Sequence, residues 1–261
     1  MAVGRFSFGQ PVRRVIQADR TPKRVFVLGV YASAVHARWC DVRGRQLVKA
    51  LGVASEPHLF WRGDGVKDIL AAIDVPHQAG FLEPAAPNLN GPSGRSVDED
   101  YLEPLGLTRT DAWLCDLVPY SCMNRAQASA VAGSYTPLAE QLGLPRENWP
   151  GLPEEFTDAA RREEIAAELL ESAAEVLITL GDQPLRWFAT AFGGHRTLRA
   201  YGHDENTYGR LHELEIHGRA LRLLPLVHPR QAAGLGMFSS SWKTLHATWV
   251  RRIAPDVRAC I

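Results

Sequence analysis

Apolar residues along the chain gather into short runs, each ended by glycine or a polar residue. The first is Val25-Phe26-Val27-Leu28, closing on Gly29, and the second is Ala112-Trp113-Leu114-Cys115, closing on Asp116. The third, Val176 to Leu180, closes on Gly181, and the fourth, Leu221 to Val227, closes on His228-Pro229. Runs of this length without alternation predict strands buried on both faces, as in a largely parallel sheet. Between them the apolar spacing turns helical. Thr157-Asp158 offers a cap to a helix with Ile165, Leu169, Leu170 and Ala173 on one side and Arg161, Arg162, Glu163 and Glu164 on the other. A second helix starts in Ser239-Ser240-Ser241 and carries Trp242, Leu245, Trp249 and Ile253.

Strands alternating with helices predict an α/β fold: a three-layer sandwich around a central, largely parallel four-stranded sheet, in one domain over residues 1–261. Residues 1–22 read as an N-terminal arm, 83–99 and 145–155 as long surface loops, and 193–217 as an inserted excursion forming a hairpin. Open α/β sheets bind ligands at the carboxyl ends of their strands. Here those ends carry Gly29 with Tyr31, Ser33 and His36, then Asp116, Gly181 with Asp182, and His228. Turns use Gly, Asp and Pro for their own geometry, so it is the coincidence of these residues in one layer that marks a candidate site.

Composition narrows the classes. The chain has 261 residues, 46% hydrophobic, enough to bury a sizeable core. The longest apolar run, Val25 to Val35, is too short to span a bilayer, and Arg5, Arg13 and Arg14 precede no apolar stretch of a secretory signal. A cytoplasmic monomer without a membrane partner is expected. Cys40, Cys115, Cys122 and Cys260 lack paired spacing and read as reduced core thiols. His58, His77, His195, His203, His212, His217 and His246 lack metal-ligand spacing, and Gly234-Leu235-Gly236 is too short for a nucleotide loop, so no metal and no organic cofactor is expected. Basic and acidic residues balance at 29 each, which excludes a strongly basic coating protein. All but four of the basic residues are arginine, suited to phosphate forks but equally the mark of a genome rich in G and C.

Taken together, the run ends resemble the uracil-DNA glycosylase superfamily. Gly29-Val30-Tyr31-Ala32-Ser33 resembles its first motif, a turn against the flipped nucleotide that often carries the water-activating carboxylate or amide. Asp116 falls where the family places its base-reading residue, commonly Asn. Leu180-Gly181-Asp182 resembles the strand and turn before the last motif, and Val227-His228-Pro229 its final His-Pro. The matches keep the family's order over residues 25–230. Asn124-Arg125 resembles a pair found in some branches, whose four-cysteine iron–sulfur ligation is not matched. One departure stands out: Tyr31 occupies the position of the carboxylate or amide, and a phenol does not activate water as a carboxylate does. Asp41, Asp64, Glu56 and Glu83 are alternative sources, which the sequence does not rank; His228 with the DNA phosphates is another.

The resemblance implies a DNA N-glycosylase acting on double- or single-stranded DNA. His228 would donate to the negative charge growing on the departing base. An Asn reads uracil by accepting and donating, whereas an ionised Asp only accepts. Asp116 therefore favours the exocyclic amine of cytosine, and a modified cytosine is the expected substrate, in base repair or in attack on phage genomes carrying such bases. Uracil returns if Asp116 is protonated. Base flipping needs a cradle, with Gly29, Tyr31, Ser33, His36, Phe60, Trp61 and Asn124 as candidates. It also needs a wedge, from Leu235, Met237 or Phe238, and phosphate contacts, from Arg125, Arg230 and the helix start at Ser240. Two rivals remain: a hydrolase using Ser33, His228 and Asp116, although Ser33 lacks a Gly-x-Ser-x-Gly elbow, and a non-catalytic DNA-binding relative.

Overall fold

The computed structural model describes residues 2–235 and 239–261. Its strands in chain order are β1 (Gly4–Arg5), β2 (Pro11–Val12), β3 (Val25–Tyr31), β4 (Ala34–Cys40), β5 (Gln46–Ser55), β6 (Phe81–Pro84), β7 (Ala112–Val118), β8 (Val176–Leu180), β9 (His212–Ile216) and β10 (Arg219–Leu226). The chain divides into two compact units: residues 1–15, 31–95 and 119–154 form one, and 16–30, 96–118 and 155–261 the other. Each unit is thus assembled from three separate stretches of sequence.

The second unit is built on the expected α/β sheet, with five strands in the order β7-β3-β8-β10-β9. β8 pairs parallel to β3 and to β10, in a register that sets Leu180 opposite Leu226 and Thr179 opposite Leu28. Gly181 and Val227 therefore leave β8 and β10 at one level, with His228 next, while Gly29 lies one residue lower, opposite Leu180 and inside β3. The fifth strand, β9, was not anticipated because it alternates: in His212-Glu213-Leu214-Glu215-Ile216 only Leu214 and Ile216 are buried, as befits an antiparallel edge strand. The excursion 193–217 accordingly contains no hairpin of its own. It holds the short helix Leu198–Tyr201 and β9, and the hairpin is β9 with β10, turned at His217 and Gly218, both at positive φ (50° and 79°).

Two strand ends also move. β3 continues through Gly29 to Tyr31, and β7 continues through Asp116 to Val118. Asp116 is therefore a buried residue inside a strand rather than its terminator. The helix Ala159–Glu171 opens as expected, with the Asp158 side chain accepting from Arg161 N–H at 2.7 Å. The Ser239–Arg252 helix forms as well.

The first unit centres on a three-stranded antiparallel sheet, β5-β4-β6, over a core that includes Trp39, Leu51, Trp61 and Tyr135. His36 lies within β4, not on a loop after β3. The supposed loop 83–99 is largely ordered as β6, the helix Pro92–Ser96 and flanking turns of helix, with Asn90 and Gly94 buried. Nor is the beginning of the chain a free arm: β1 pairs with β2, and Phe6 and Val12 are fully buried. Of the cysteines, Cys40, Cys115 and Cys122 are buried free thiols, but Cys260 is exposed. No helix among the described residues is long and apolar enough to cross a membrane.

Candidate functional site

In the second unit the expected residues converge best at the end of β10. Gly181, directly after β8, sits at φ 86°, ψ −171°, a conformation open essentially to glycine alone. A Cβ at this position would lie 2.9 Å from the Cβ of His228, so the turn is flush against the histidine. His228 caps the short helix Pro229–Ala232: its carbonyl accepts from Gln231 and Ala232 N–H, and its Nδ1 accepts from Arg230 N–H at 3.1 Å. Burial, with a lesser contribution from the Arg230 charge, lowers its pKa to about 4. At neutral pH the ring is therefore neutral, and because Nδ1 is an acceptor the proton must be on Nε2. The ring presents an N–H donor held by its opposite nitrogen. This arrangement does not suit the hydrolase alternative, in which Nδ1–H must donate to a carboxylate.

Asp116 is the other chemically informative group of this unit. Burial raises its carboxyl to about 7, against the opposing pull of Arg161. Arg161, from the Ala159–Glu171 helix, is directed at the strand's backbone: it donates to the carbonyls of Asp116 (2.7 Å) and Leu117 (3.1 Å) and to the Cys115 sulfur (3.3 Å). It also pairs with Glu164 and Glu168. These bonds tie the Ala159–Glu171 helix to the main chain of β7. A buried carboxyl brought to about 7 is the kind of group that binding sites contain.

The remaining expected DNA contacts of this unit are at its surface. Arg230 and Ser240 are exposed, and Leu235 stands 58% exposed just beyond the short helix after His228. Met237 and Phe238, the other proposed wedges, lie outside the described residues.

The first unit holds the rest, each in its own setting. His36 is tied through its main chain to Asn90, whose side chain accepts from His36 N–H (2.8 Å) and donates to its carbonyl (2.9 Å). The Ser33 carbonyl accepts from Ser121 Oγ at 2.5 Å. Phe60 and Trp61 are buried, Trp61 within the unit's core. Phe60 holds φ 50°, unusual for a side-chain-bearing residue, where its carbonyl crosses Gly94 so closely that a Cβ there would stand 2.1 Å away. Asn124 is the cap of the Arg125–Ala130 helix, its side chain accepting from Gln127 N–H at 3.0 Å, while Arg125 is exposed. Tyr31 is partly buried at the end of β3.

The four alternative carboxylates now separate. Asp41 closes a turn on the Arg43 and Arg45 N–H groups, Asp64 pairs with Arg62, and Glu83 pairs with Arg38. Glu56 alone is buried, where it accepts from Trp61 N–H at 3.4 Å.

Tyr101, Tyr208, His246 and Arg161 carry much of the second unit's polar organisation and were not singled out from sequence. No protein-family model matches this chain, and no curated protein matches it either.

Proposed function

We propose that the chain is a DNA N-glycosylase that flips out a modified pyrimidine, cytosine-derived, and hydrolyses its N-glycosidic bond. The observation that carries this reading is His228: a neutral imidazole whose Nδ1 is occupied by a backbone N–H, leaving Nε2–H as a fixed donor at the carboxyl end of a parallel sheet. In the reaction the bond from the sugar C1′ to the base nitrogen breaks and its electron pair leaves with the base. The Nε2–H donor stabilises the negative charge spreading onto the base carbonyl. Water adds to C1′ on the opposite side and its proton is released to solvent. Asp116 reads the base: ionised, it accepts from the exocyclic amine of a cytosine. Arg230 and Ser240 would hold phosphates, and Leu235 would fill the vacated stack.

A second reading, release of uracil, is favoured by one observation. Burial brings the Asp116 carboxyl to about 7, so both protonation states are populated at neutral pH. The protonated acid donates as well as accepts and so serves the O4 of uracil. Release of uracil relative to cytosine-type bases should therefore rise as pH falls through 7.

The test is abasic-site detection on single- and double-stranded DNA bearing uracil, cytosine and enlarged cytosines, at pH 6 and 8.5. The expected result is release of an enlarged cytosine at pH 8.5, its loss in His228→Ala, and a shift towards uracil in Asp116→Asn. Release of no base from any substrate, or product formation indifferent to both substitutions, overturns the proposal.

A further inference from the structure

His228 follows the point at which the sheet runs out of hydrogen-bond partners. β10 ends at Leu226, whose carbonyl accepts from Gly181 N–H at 2.7 Å. Val227 has left the ladder yet is completely buried, so its N–H and C=O need other partners. Both are met by phenols. Val227 N–H donates to Tyr208 Oη at 3.0 Å, and Tyr101 Oη–H donates to the Val227 carbonyl at 2.6 Å. The two tyrosines come from well-separated parts of the chain, and each is 1% exposed.

The chain of bonds continues one step further. Tyr208 Oη lies 2.8 Å from His246 Nδ1, and His246 Nε2 lies 3.1 Å from the Asp100 carbonyl. That carbonyl only accepts, so Nε2 must carry the proton. Burial keeps the ring neutral, with its pKa lowered to about 4, so Nδ1 is bare and accepts the Tyr208 proton. Tyr208 Oη is thereby left with its lone pairs for Val227 N–H. Every proton along Asp100, His246, Tyr208 and Val227 is assigned, and no alternative arrangement satisfies all four groups. Packing fixes the rings: His246 stacks on Trp249 (5.1 Å between centroids, 23° between planes) and meets Tyr101 at 4.6 Å. Trp249 is anchored in turn by its indole N–H on the Gly209 carbonyl at 3.0 Å.

We propose that Tyr208, Tyr101 and His246 are positioning residues for His228: two buried phenols grip the peptide groups on either side of Val227, and His246 dictates the direction of the Tyr208 proton. The catalytic part of this inference rests on the glycosylase reading; the hydrogen-bond part does not. The strand alone would deliver the histidine on a main chain with two unpaired peptide groups. The phenols replace the missing sheet neighbours and hold the ring in the place where its Nε2–H donor is needed.

The experiment reads ring tautomers and pKa values of His228 and His246 by long-range ¹H–¹⁵N NMR of the full-length protein, with Tyr208→Phe, Tyr101→Phe, His246→Gln and His246→Leu beside the wild type. In the wild type both rings should be Nε2–H tautomers, His228 through its bond from Arg230 N–H and His246 through its bond to Asp100. In Tyr208→Phe and His246→Leu, His228 should show mixed tautomers and a pKa moving up towards its ordinary value; His246→Gln, which keeps an acceptor and a donor, should restore much of the wild-type pattern. On any base the wild type releases, Tyr208→Phe should lower kcat by about 10- to 100-fold with KM little changed. An Nδ1–H tautomer for wild-type His246 overturns the network without recourse to any variant. So does a His228 spectrum unmoved in folded Tyr208→Phe and Tyr101→Phe proteins. Failure of base release on every DNA would count against the glycosylase reading and leave the tautomer result standing, so the two failures are distinguishable.

Discussion

Asp116 carries a cost that its burial makes measurable. Its carboxyl titrates near 7 in the folded chain and near 3.8 when exposed, so folding favours the protonated form. Stability from this group is greatest at acid pH and declines as pH rises from about 4 to 7, by at most about 1.4 kcal/mol per pH unit between the two values. Asp116→Asn removes the burden, and the variant should melt above the wild type at pH 8, with the gap closing towards pH 4. A constant difference in Tm across that range would show that the carboxyl is not buried as described. His228 and His246 act in the opposite direction. Both are held near 4, so the unfolded chain takes up protons that the folded chain refuses, and their contribution is lost as pH falls from 6.5 towards 4. His246→Gln should therefore flatten the acid limb of the stability curve measured by chemical denaturation. The placement of Asp116 and His228 on the sheet was legible in the sequence because each stands at or near the end of an apolar run. Tyr101 and His246 were not, since their partners are backbone groups 126 and 146 residues away, and no local pattern announces such a bond.

Among the elements, the strands buried on both faces were the ones that could be read. β8 forms over the same residues as its apolar run, because a central strand covered on both faces is apolar almost throughout, the β-branched Thr179 being its one polar member. β4 and β5 escaped notice because Arg38 and Lys49 point outward and break their runs, the normal signature of a sheet with one wet face. The Gly181 turn joins element to site: it allows β8 to end flush against His228. Gly181→Ala meets both a forbidden backbone region and the His228 Cβ 2.9 Å away. It should cost about 1–3 kcal/mol in denaturant unfolding and perturb the His228 ring resonances. A substitution that is neutral on both measures would mean that the turn does not brace the histidine.

For the molecule as a whole, the charge balance of 29 against 29 bears on the proposed DNA partner: it would restrict the mode of contact to a small footprint. On the proposed function, Arg230 is exposed beside the site of the second unit, and a footprint of one or two phosphates predicts a log–log salt slope no steeper than about −2, with Arg230→Ala reducing it by about 0.9. A steep slope in binding titrations would require a larger basic surface than such a footprint supplies. The three-stretch composition of each unit has a different kind of consequence, for how the molecule is taken apart. A single break in the main chain, at any bond, leaves at least one unit built from two fragments. Limited proteolysis should thus yield nicked material that co-elutes under native conditions and separates only on denaturation. For the same reason no truncated gene encodes one unit by itself: the sheet that carries Asp116 and His228 can be inherited or transplanted only together with the segments threaded between its strands.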